Sequence, residues 1–191
     1  TAAGLFSCTV QGFPNSPEYE SFGVKVYGDS ELTIDDNTVS SYTRDGIGAN
    51  GGIMGNPNVV ISNNTVTGSA VPLNGISIGD GATGTISGNT VKNHTRATGP
   101  WAPCGILVSK CNNNVSVSGN DVKDCSYAIF LWDTSNCVVE ENTVSLNTAR
   151  GISLDNATNN TVRKNIIDLS GSLTVGSDTA IGVSNGSSSN T

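Results

Sequence analysis

The chain has 191 residues, of which 36% are hydrophobic, and this is enough for one domain with a continuous core. Only 13% of the residues are charged and 23 are glycine, a composition that disfavours helices and predicts strands and turns. A net charge of −7 with nine Lys and Arg residues argues against a nucleic-acid partner, which needs clustered cations. No run of ~18 apolar residues occurs, so no membrane span is expected.

The N-terminal segment, residues 1–20, has no periodic pattern. We expect it to be irregular, followed by repeats over 21–184 and a tail over 185–191, all within a single domain of 1–191. The segment also lacks a basic region followed by an apolar stretch, so it does not contain an intact signal peptide. Cysteine content and composition nevertheless favour export, and we predict an extracellular or cell-surface location.

A short segment recurs six times from residue 32 onward. Its copies are LTIDDNTV (32–39), VVISNNTV (59–66), GTISGNTV (84–91), VSVSGNDV (115–122), CVVEENTV (137–144) and NTVRKNII (160–167). They align on Asn37, Asn64, Asn89, Asn120, Asn142 and Asn165. About 14 residues before most of these asparagines lies a second alternating segment, such as GISI (75–78) or GILV (105–108). Alternation with a period of two predicts β-strands.

Strands this short cannot bury an apolar face in isolation. Coils stacked at about 4.8 Å would pair each strand with its equivalent in the next coil and align the repeated Ile and Val side chains inward. The sequence therefore predicts an all-β, single-stranded parallel β-helix, a solenoid of about seven coils with an Asn ladder. We expect the ladder asparagines to occupy a corner with a left-handed backbone conformation, which Asn tolerates.

These repeats resemble the right-handed parallel β-helix repeat family, in which a G-I-x-L segment is followed by I-x-x-N-x-I. The family includes pectate-lyase-like and copper-pathway periplasmic proteins, and the resemblance covers nearly all of 21–184. It implies a right-handed helix, but it is compatible with lyases, epimerases, tailspikes and passive surface proteins. A lyase-like protein would be expected to bind Ca²⁺ through clustered carboxylates. The carboxylates of this sequence are scattered, so we predict no metal site, no other cofactor and no catalytic residue.

Aromatic residues occupy outward positions of the second alternating segment. Phe130 and Trp132 should be exposed together, and Trp101 of the long loop 92–104 should lie near them. Such a patch could stack on sugar rings, with Asp133 and Asp155 supplying hydrogen bonds. Further candidates for these hydrogen bonds are Lys110, His94 and Arg96. The alternative interpretation is that the loop or a neighbouring subunit covers the patch, and that the aspartates are solvated turn residues.

Five cysteines occur without a CxxC pair, so structural zinc is not expected. Cys104 and Cys125 precede strands of successive coils, and Cys111 and Cys137 lie in turns of the same two coils. These four are candidates for disulfides between coils, which leaves Cys8 unpaired or available for an intermolecular bond. The alternative is that all five are buried reduced thiols.

Six Asn-x-Ser/Thr sequons are candidates for glycosylation. They begin at Asn63, Asn93, Asn114, Asn156, Asn159 and Asn185. In a chain this rich in Asn, Ser and Thr, several such triplets also arise by chance.

Two functional hypotheses follow from the sequence. The first is a structural extracellular β-helix that assembles with copies of itself into a surface layer, sheath or filament, because no cap is recognisable and the number of cysteines is odd. The alternative is a carbohydrate-active or carbohydrate-binding β-helix, similar to polysaccharide lyases or epimerases, that uses the aromatic face near Trp132.

Overall fold

The computed structural model describes residues 3–13, 20–69, 72–95, 103–112, 114–146, 149–170 and 179–191. These residues form three parallel sheets of seven strands each. The first sheet contains β1 (Ala3–Phe6), β4 (Glu31–Asp35), β7 (Asn58–Ser62), β10 (Thr83–Ser87), β13 (Val115–Ser118), β16 (Val138–Glu140) and β19 (Thr161–Arg163). The second contains β2 (Thr9–Gln11), β5 (Thr38–Ser40), β8 (Thr65–Thr67), β11 (Thr90–His94), β14 (Asp121–Cys125), β17 (Thr143–Ser145) and β20 (Ile166–Asp168). The third contains β3 (Val24–Tyr27), β6 (Asp45–Asn50), β9 (Asn74–Gly79), β12 (Cys104–Ser109), β15 (Tyr127–Trp132), β18 (Arg150–Asp155) and β21 (Thr179–Ser184).

Each strand pairs in register with the equivalent strand one coil away, and the chain passes from first to second to third sheet in every coil. The prediction of a parallel β-helix is therefore confirmed. The inward columns are continuous, since Ile34, Ile61 and Ile86 of the first sheet and Val39 and Val66 of the second are all fully buried. Among the described residues no helix is long and apolar enough to cross a membrane.

The Asn ladder is present along the corner between the first and second sheets. The backbone N–H and the Nδ2 of Asn64 both donate to Oδ1 of Asn89, at 2.9 and 3.0 Å, and its Nδ2 also donates to the carbonyls of Ile34 and Ser62. The same bonds link Asn89 to Asn120. Burying an amide is costly unless it is hydrogen-bonded, so this pattern explains why Asn recurs at the corner.

The predicted left-handed backbone of the ladder asparagines is wrong by one position. The residue with positive φ is the one before each of them, as in Asp36 (φ 58°), Asn63 (φ 55°) and Gly88 (φ 64°). That residue turns the chain, which lets the following Asn side chain point into the stack. Asn, Asp and Gly are the residues that adopt this conformation at least cost.

Both terminal segments differ from the prediction. Residues 3–11, expected to be irregular, form β1 and β2, and the backbone N–H of Cys8 donates to Oδ1 of Asn37 at 2.9 Å, so Cys8 occupies the ladder position of this coil. In the expected tail, Ser188 bridges to Thr158, and Asn190 accepts a hydrogen bond from the backbone of Asn160. A second, shorter Asn ladder thus runs along another corner.

Small residues are required where the third sheet begins. A Cβ atom on Gly75 would stand 2.4 Å from Val91 Cγ1 and 2.6 Å from the carbonyl oxygen of Gly105, and one on Gly46 would meet Val66 and the Gly75 carbonyl at 2.5 and 2.7 Å. These glycines therefore make room for a valine of the second sheet, and Gly151 does the same for Ile167. This close approach fixes how the third sheet, which carries the candidate site, sits on the core.

Candidate functional site on the third sheet

The outward positions of the third sheet form three columns, here called the third-sheet face. One column is Asp45, Asn74, Cys104, Tyr127, Arg150 and Thr179. The next is Lys25, Gly48, Ser77, Leu107, Phe130, Ser153 and Gly182. The last is Tyr27, Asn50, Gly79, Ser109, Trp132, Asp155 and Ser184.

Strand β15 places three aromatic residues across this face, and we call Tyr127, Phe130 and Trp132 the aromatic row. Each is half-buried, and the Tyr127 and Phe130 rings lie 5.3 Å apart between centroids. Phe130 and Trp132 are thus on the same face, as predicted. Alternation along the strand explains their common direction, because Ile129 and Leu131 between and beside them point into the core.

Cations stack on aromatic rings at both ends of this row. The Arg150 guanidinium carbon lies 5.2 Å from the centroid of Tyr127, and Lys110 Nζ lies 5.4 Å from that of Trp132. Lys110 is also 3.7 Å from Asp80 Oδ1, an exposed pair that contributes little to stability. Planar apolar rings flanked by cations provide a surface for a ligand that has both apolar faces and polar or charged substituents.

The two predicted aspartates occupy different environments. Asp155 is the neighbour of Trp132 on the next coil, where its carboxylate accepts hydrogen bonds of 2.9 and 2.8 Å from Asn185 Nδ2. Asp133 lies one residue beyond the strand, at a turn with φ of 53°, and accepts a hydrogen bond from Asn156 Nδ2. Asp155 therefore lies on the face and Asp133 at its corner. Trp101 and Arg96 lie outside the described residues.

A buried carboxyl group stands on the same face, nearer the first coil. Asp45 is 3% exposed, and its two oxygens accept hydrogen bonds from Asn74 Nδ2 at 2.8 Å and Ser77 Oγ at 2.9 Å. Burial raises the pKa of Asp45, while the two hydrogen bonds and the charges of Arg44 and Lys25 oppose that shift. The sequence alone does not reveal this cluster, because only the register of β6 and β9 brings Asp45, Asn74 and Ser77 together.

His94 does not contribute to the face, contrary to its place among the candidates. It is fully buried inside the helix, where its Nε2 is 2.6 Å from the Tyr42 hydroxyl and its Nδ1 is 3.8 Å from Cys125 Sγ. Burial lowers the pKa of His94 to about 3, so the ring is neutral. The prediction failed because His94 lies one residue past the αL residue Asn93, which turns the side chain inward.

The predicted disulfides are absent, since no disulfide joins any of the five cysteines. Within the sheets Cys125 pairs with His94, and Cys104 pairs with Asn74 and Tyr127. The two predicted pairs, Cys104 with Cys125 and Cys111 with Cys137, lie near enough to interact electrostatically but are not bonded. Cys111 donates instead to backbone carbonyls, including that of Ala82 at 3.3 Å. Four of the five thiols are buried, whereas Cys8 is half-buried.

The six sequon asparagines share one environment. Each is exposed and has a positive φ, which places it at a turn on the outside of the helix. Asn63 and Asn156 additionally donate through Nδ2 to Asp35 and Asp133 of the preceding coil. These positions are accessible, and glycosylation at them stays a prediction.

Within the described ranges, no three His, Cys, Asp or Glu side chains come together as a group that would hold a metal ion. The third-sheet face accordingly offers rings, cations and hydrogen-bonding groups.

A family model described as "right handed beta helix region" matches residues 6–104 and 52–191, which together span almost the whole chain. The chain belongs to the right-handed β-helix family. The handedness implied by the repeats is thereby confirmed. No curated protein matches the sequence.

Solved structures with the same right-handed β-helix fold include the periplasmic alginate epimerase AlgG, with a TM-score of 0.59 and 18% identity over 89% of this chain and 44% of the epimerase chain. Two variants of that enzyme match over the same shares, with TM-scores of 0.60 and 0.54 and identities of 18% and 19%. The chain thus spans less than half the length of these enzymes. At 18–19% sequence identity, the structural similarity shows a shared fold alone.

Proposed function

We propose that this protein is an exported β-helix that binds a polysaccharide on its third-sheet face. The aromatic row carries the proposal, because Tyr127, Phe130 and Trp132 lie side by side on one strand and can stack against the apolar faces of sugar rings. Cations stacked at both ends of the row and the carboxylate of Asp155 supply the hydrogen-bonding groups that such a ligand needs.

Similarity of fold to alginate epimerases adds support for a carbohydrate ligand and for an exported, periplasmic or secreted location. The self-assembly hypothesis loses one of its grounds. It depended partly on an odd cysteine left over from disulfides, and no disulfide joins any of the five cysteines. Carbohydrate binding is therefore the better-supported of the two hypotheses.

The test is binding of the purified protein to a panel of soluble neutral and anionic polysaccharides, by affinity electrophoresis and calorimetry. Trp132→Ala should weaken binding about ten-fold, which corresponds to the loss of about 1.4 kcal/mol of stacking and contact energy. The matched control is Phe6→Ala, which removes an aromatic ring that is 56% exposed on the first sheet and should leave binding unchanged. Equal binding by the Trp132 variant and the wild type would place the ligand elsewhere.

Turnover of the bound polymer is a second candidate function, and Asp45 is the observation that favours it. A carboxyl group whose pKa is raised can hold a proton for acid–base chemistry, and Asp45 stands on the same face as the aromatic row. It lies three coils from Tyr127, about 14 Å at the usual strand spacing. Chromatography of polymer incubated with wild type and with Asp45→Asn tests this function. Products formed equally by both proteins would exclude Asp45 from the reaction.

A further inference from the structure

Next to the aromatic row the third-sheet face has a recess in the last described coil. Ser153 occupies the position equivalent to Phe130 in the next coil, and Gly182 occupies it in the coil after that. Gly182 has no side chain. The point where a Cβ of Gly182 would stand is 3.7 Å from Ser153 Oγ, 3.9 Å from Arg150 Nη1 and 3.6 Å from Thr179 Cγ2. We call this recess, formed by Gly182, Ser153, Arg150 and Thr179, the Gly182 notch.

The notch brings together two hydrogen-bond donors with unused capacity. The Ser153 hydroxyl is fully buried and has no hydrogen-bond partner, which is unfavourable for a polar group. Arg150 stacks on Tyr127, and within the described part of the chain no carboxylate lies within ion-pair distance of its guanidinium. The planar guanidinium matches the geometry of a carboxylate or a sulfate.

Two other cations of the helix, by contrast, already have carboxylate partners. On the first sheet Arg163 and Lys164 pair with Glu140 and Glu141 at 2.7 and 3.0 Å. The whole chain has a net charge of −7, so it repels a polyanion at long range, although salt screens this repulsion beyond about 10 Å. An anionic ligand would therefore depend on local cations that are not already neutralised.

We propose that the Gly182 notch binds the anionic substituent, a carboxylate or sulfate, of a sugar stacked on the aromatic row, so that Arg150 selects anionic over neutral polysaccharides. The inference rests on the proposed polysaccharide binding and names its substrate class. In the complex Arg150 forms a paired hydrogen bond with the anion. Its movement towards the ligand uncovers the Ser153 hydroxyl, which then donates to the same group.

The experiment compares alginate and polygalacturonate, each beside its own fully esterified form, in which the backbone is the same but the charge is removed. Wild type should bind each acidic polymer at least about ten-fold more tightly than its ester, or about 1.4 kcal/mol. Arg150→Met, which keeps the length of the side chain but not its charge, should bring this ratio close to one. Gly182→Ala should reduce it as well, because the added methyl fills the notch at ordinary contact distances.

The matched control is Arg163→Met, which changes the net charge by the same amount on the first sheet and should keep the wild-type ratio. A wild type that binds acid and ester equally, with both interactions weakened by Trp132→Ala, would overturn the anion specificity and leave polysaccharide binding standing. Retention of the ratio in Arg150→Met would also overturn it. Failure of wild type to bind any of the four polymers would count against both proposals.

Discussion

His94 and Asp45 are both buried, yet one lies inside the helix and the other on its outer face. The neutral His94 ring is hydrogen-bonded to Tyr42 and lies next to Cys125, two members of the core cluster. Asp45 is surrounded instead by Asn74, Ser77 and the cations of the third-sheet face. Burial thus prevents His94 from contacting a ligand, whereas Asp45 lies on a face that a ligand can approach.

The pKa of His94 makes the stability of the protein depend on pH. In the unfolded chain the ring takes up a proton near its ordinary pKa of 6.5, whereas in the folded chain its pKa is about 3. The unfolded state therefore binds more protons between these values. We expect the free energy of unfolding to be highest above pH 6.5 and to fall by about 1.4 kcal/mol per pH unit below it.

Urea unfolding between about pH 7 and about pH 5 tests this dependence, because His94 is the single histidine of the chain and carboxylates titrate mostly at lower pH. The reference is His94→Gln, which has no group that titrates there and should have a nearly flat profile in this range. Parallel profiles for the two proteins would contradict the assignment of the pH dependence to His94.

The thiols should differ sharply in reactivity. Burial raises the pKa of Cys111 to about 11 and those of Cys125 and Cys137 to about 12, and it also raises that of Cys104, so the thiolate is scarce at all four positions. A thiol titration of the native protein should detect only the half-buried Cys8, and a titration in denaturant should detect all five. Cys8→Ser should abolish the native signal. Fewer than five thiols in denaturant under non-reducing conditions would indicate a disulfide.

At the scale of strands and corners, the Asn ladder couples each coil to the next. Asn89 accepts from the backbone and side chain of Asn64, and it donates to the carbonyl oxygens of Ile61 and Ser87 and to Oδ1 of Asn120. Removal of its side chain leaves the buried backbone N–H of Asn64 without an acceptor, and it takes a hydrogen-bond donor from the carbonyls of Ile61 and Ser87 and from Oδ1 of Asn120. The resulting cost exceeds that of a single lost hydrogen bond.

Asn89→Ala should therefore lower the free energy of unfolding by about 3 kcal/mol. Chemical denaturation followed by circular dichroism measures the change. The comparison is Asn58→Ala, an exposed asparagine of the first sheet one coil earlier, for which we expect a change within about 0.5 kcal/mol. Similar losses for the two variants would mean that the ladder is not a principal source of stability.

Strand identity and register were predictable because they depend on a pattern that repeats. The spacing of Asn37, Asn64 and Asn89 with alternating Ile and Val gives the stack and its inward columns without reference to side-chain detail. The first coil was missed because Cys8 stands where the other coils have Asn, although GLFSCTV otherwise matches the repeat. The αL position was misplaced because Asp, Asn, Gly, Glu and Lys all occupy it, so composition alone does not mark it.

The candidate site was only partly predictable, because it is formed by neighbours from different coils. Alternation along one strand placed Phe130 and Trp132 on one face. The Gly182 notch, by contrast, needs the register of β15, β18 and β21 together, and Ser153 and Gly182 carry no signal individually. The cysteine spacing likewise predicted which thiols lie near each other, Cys104 and Cys125, but not that they are unbonded.

At the scale of the whole molecule, each described strand is paired within its sheet only with its equivalents in the adjacent coils. A repeat protein of this kind has a stability that is close to a sum of coil terms and nearest-neighbour terms. The proposed ligand would touch β15, β18 and β21, and would therefore link three successive coils. Saturating polymer should accordingly stabilise this end of the helix more than the opposite end.

The same nearest-neighbour pairing determines how the molecule responds to a pulling force. Because strand pairing does not extend beyond the adjacent coil, a force that pulls on an end coil of the described stack loads mainly the backbone and ladder hydrogen bonds to one neighbour. The helix would then unfold under force one coil at a time from the loaded end, rather than in a single cooperative step. Resistance to tension would be set by the weakest turn and not by the number of turns.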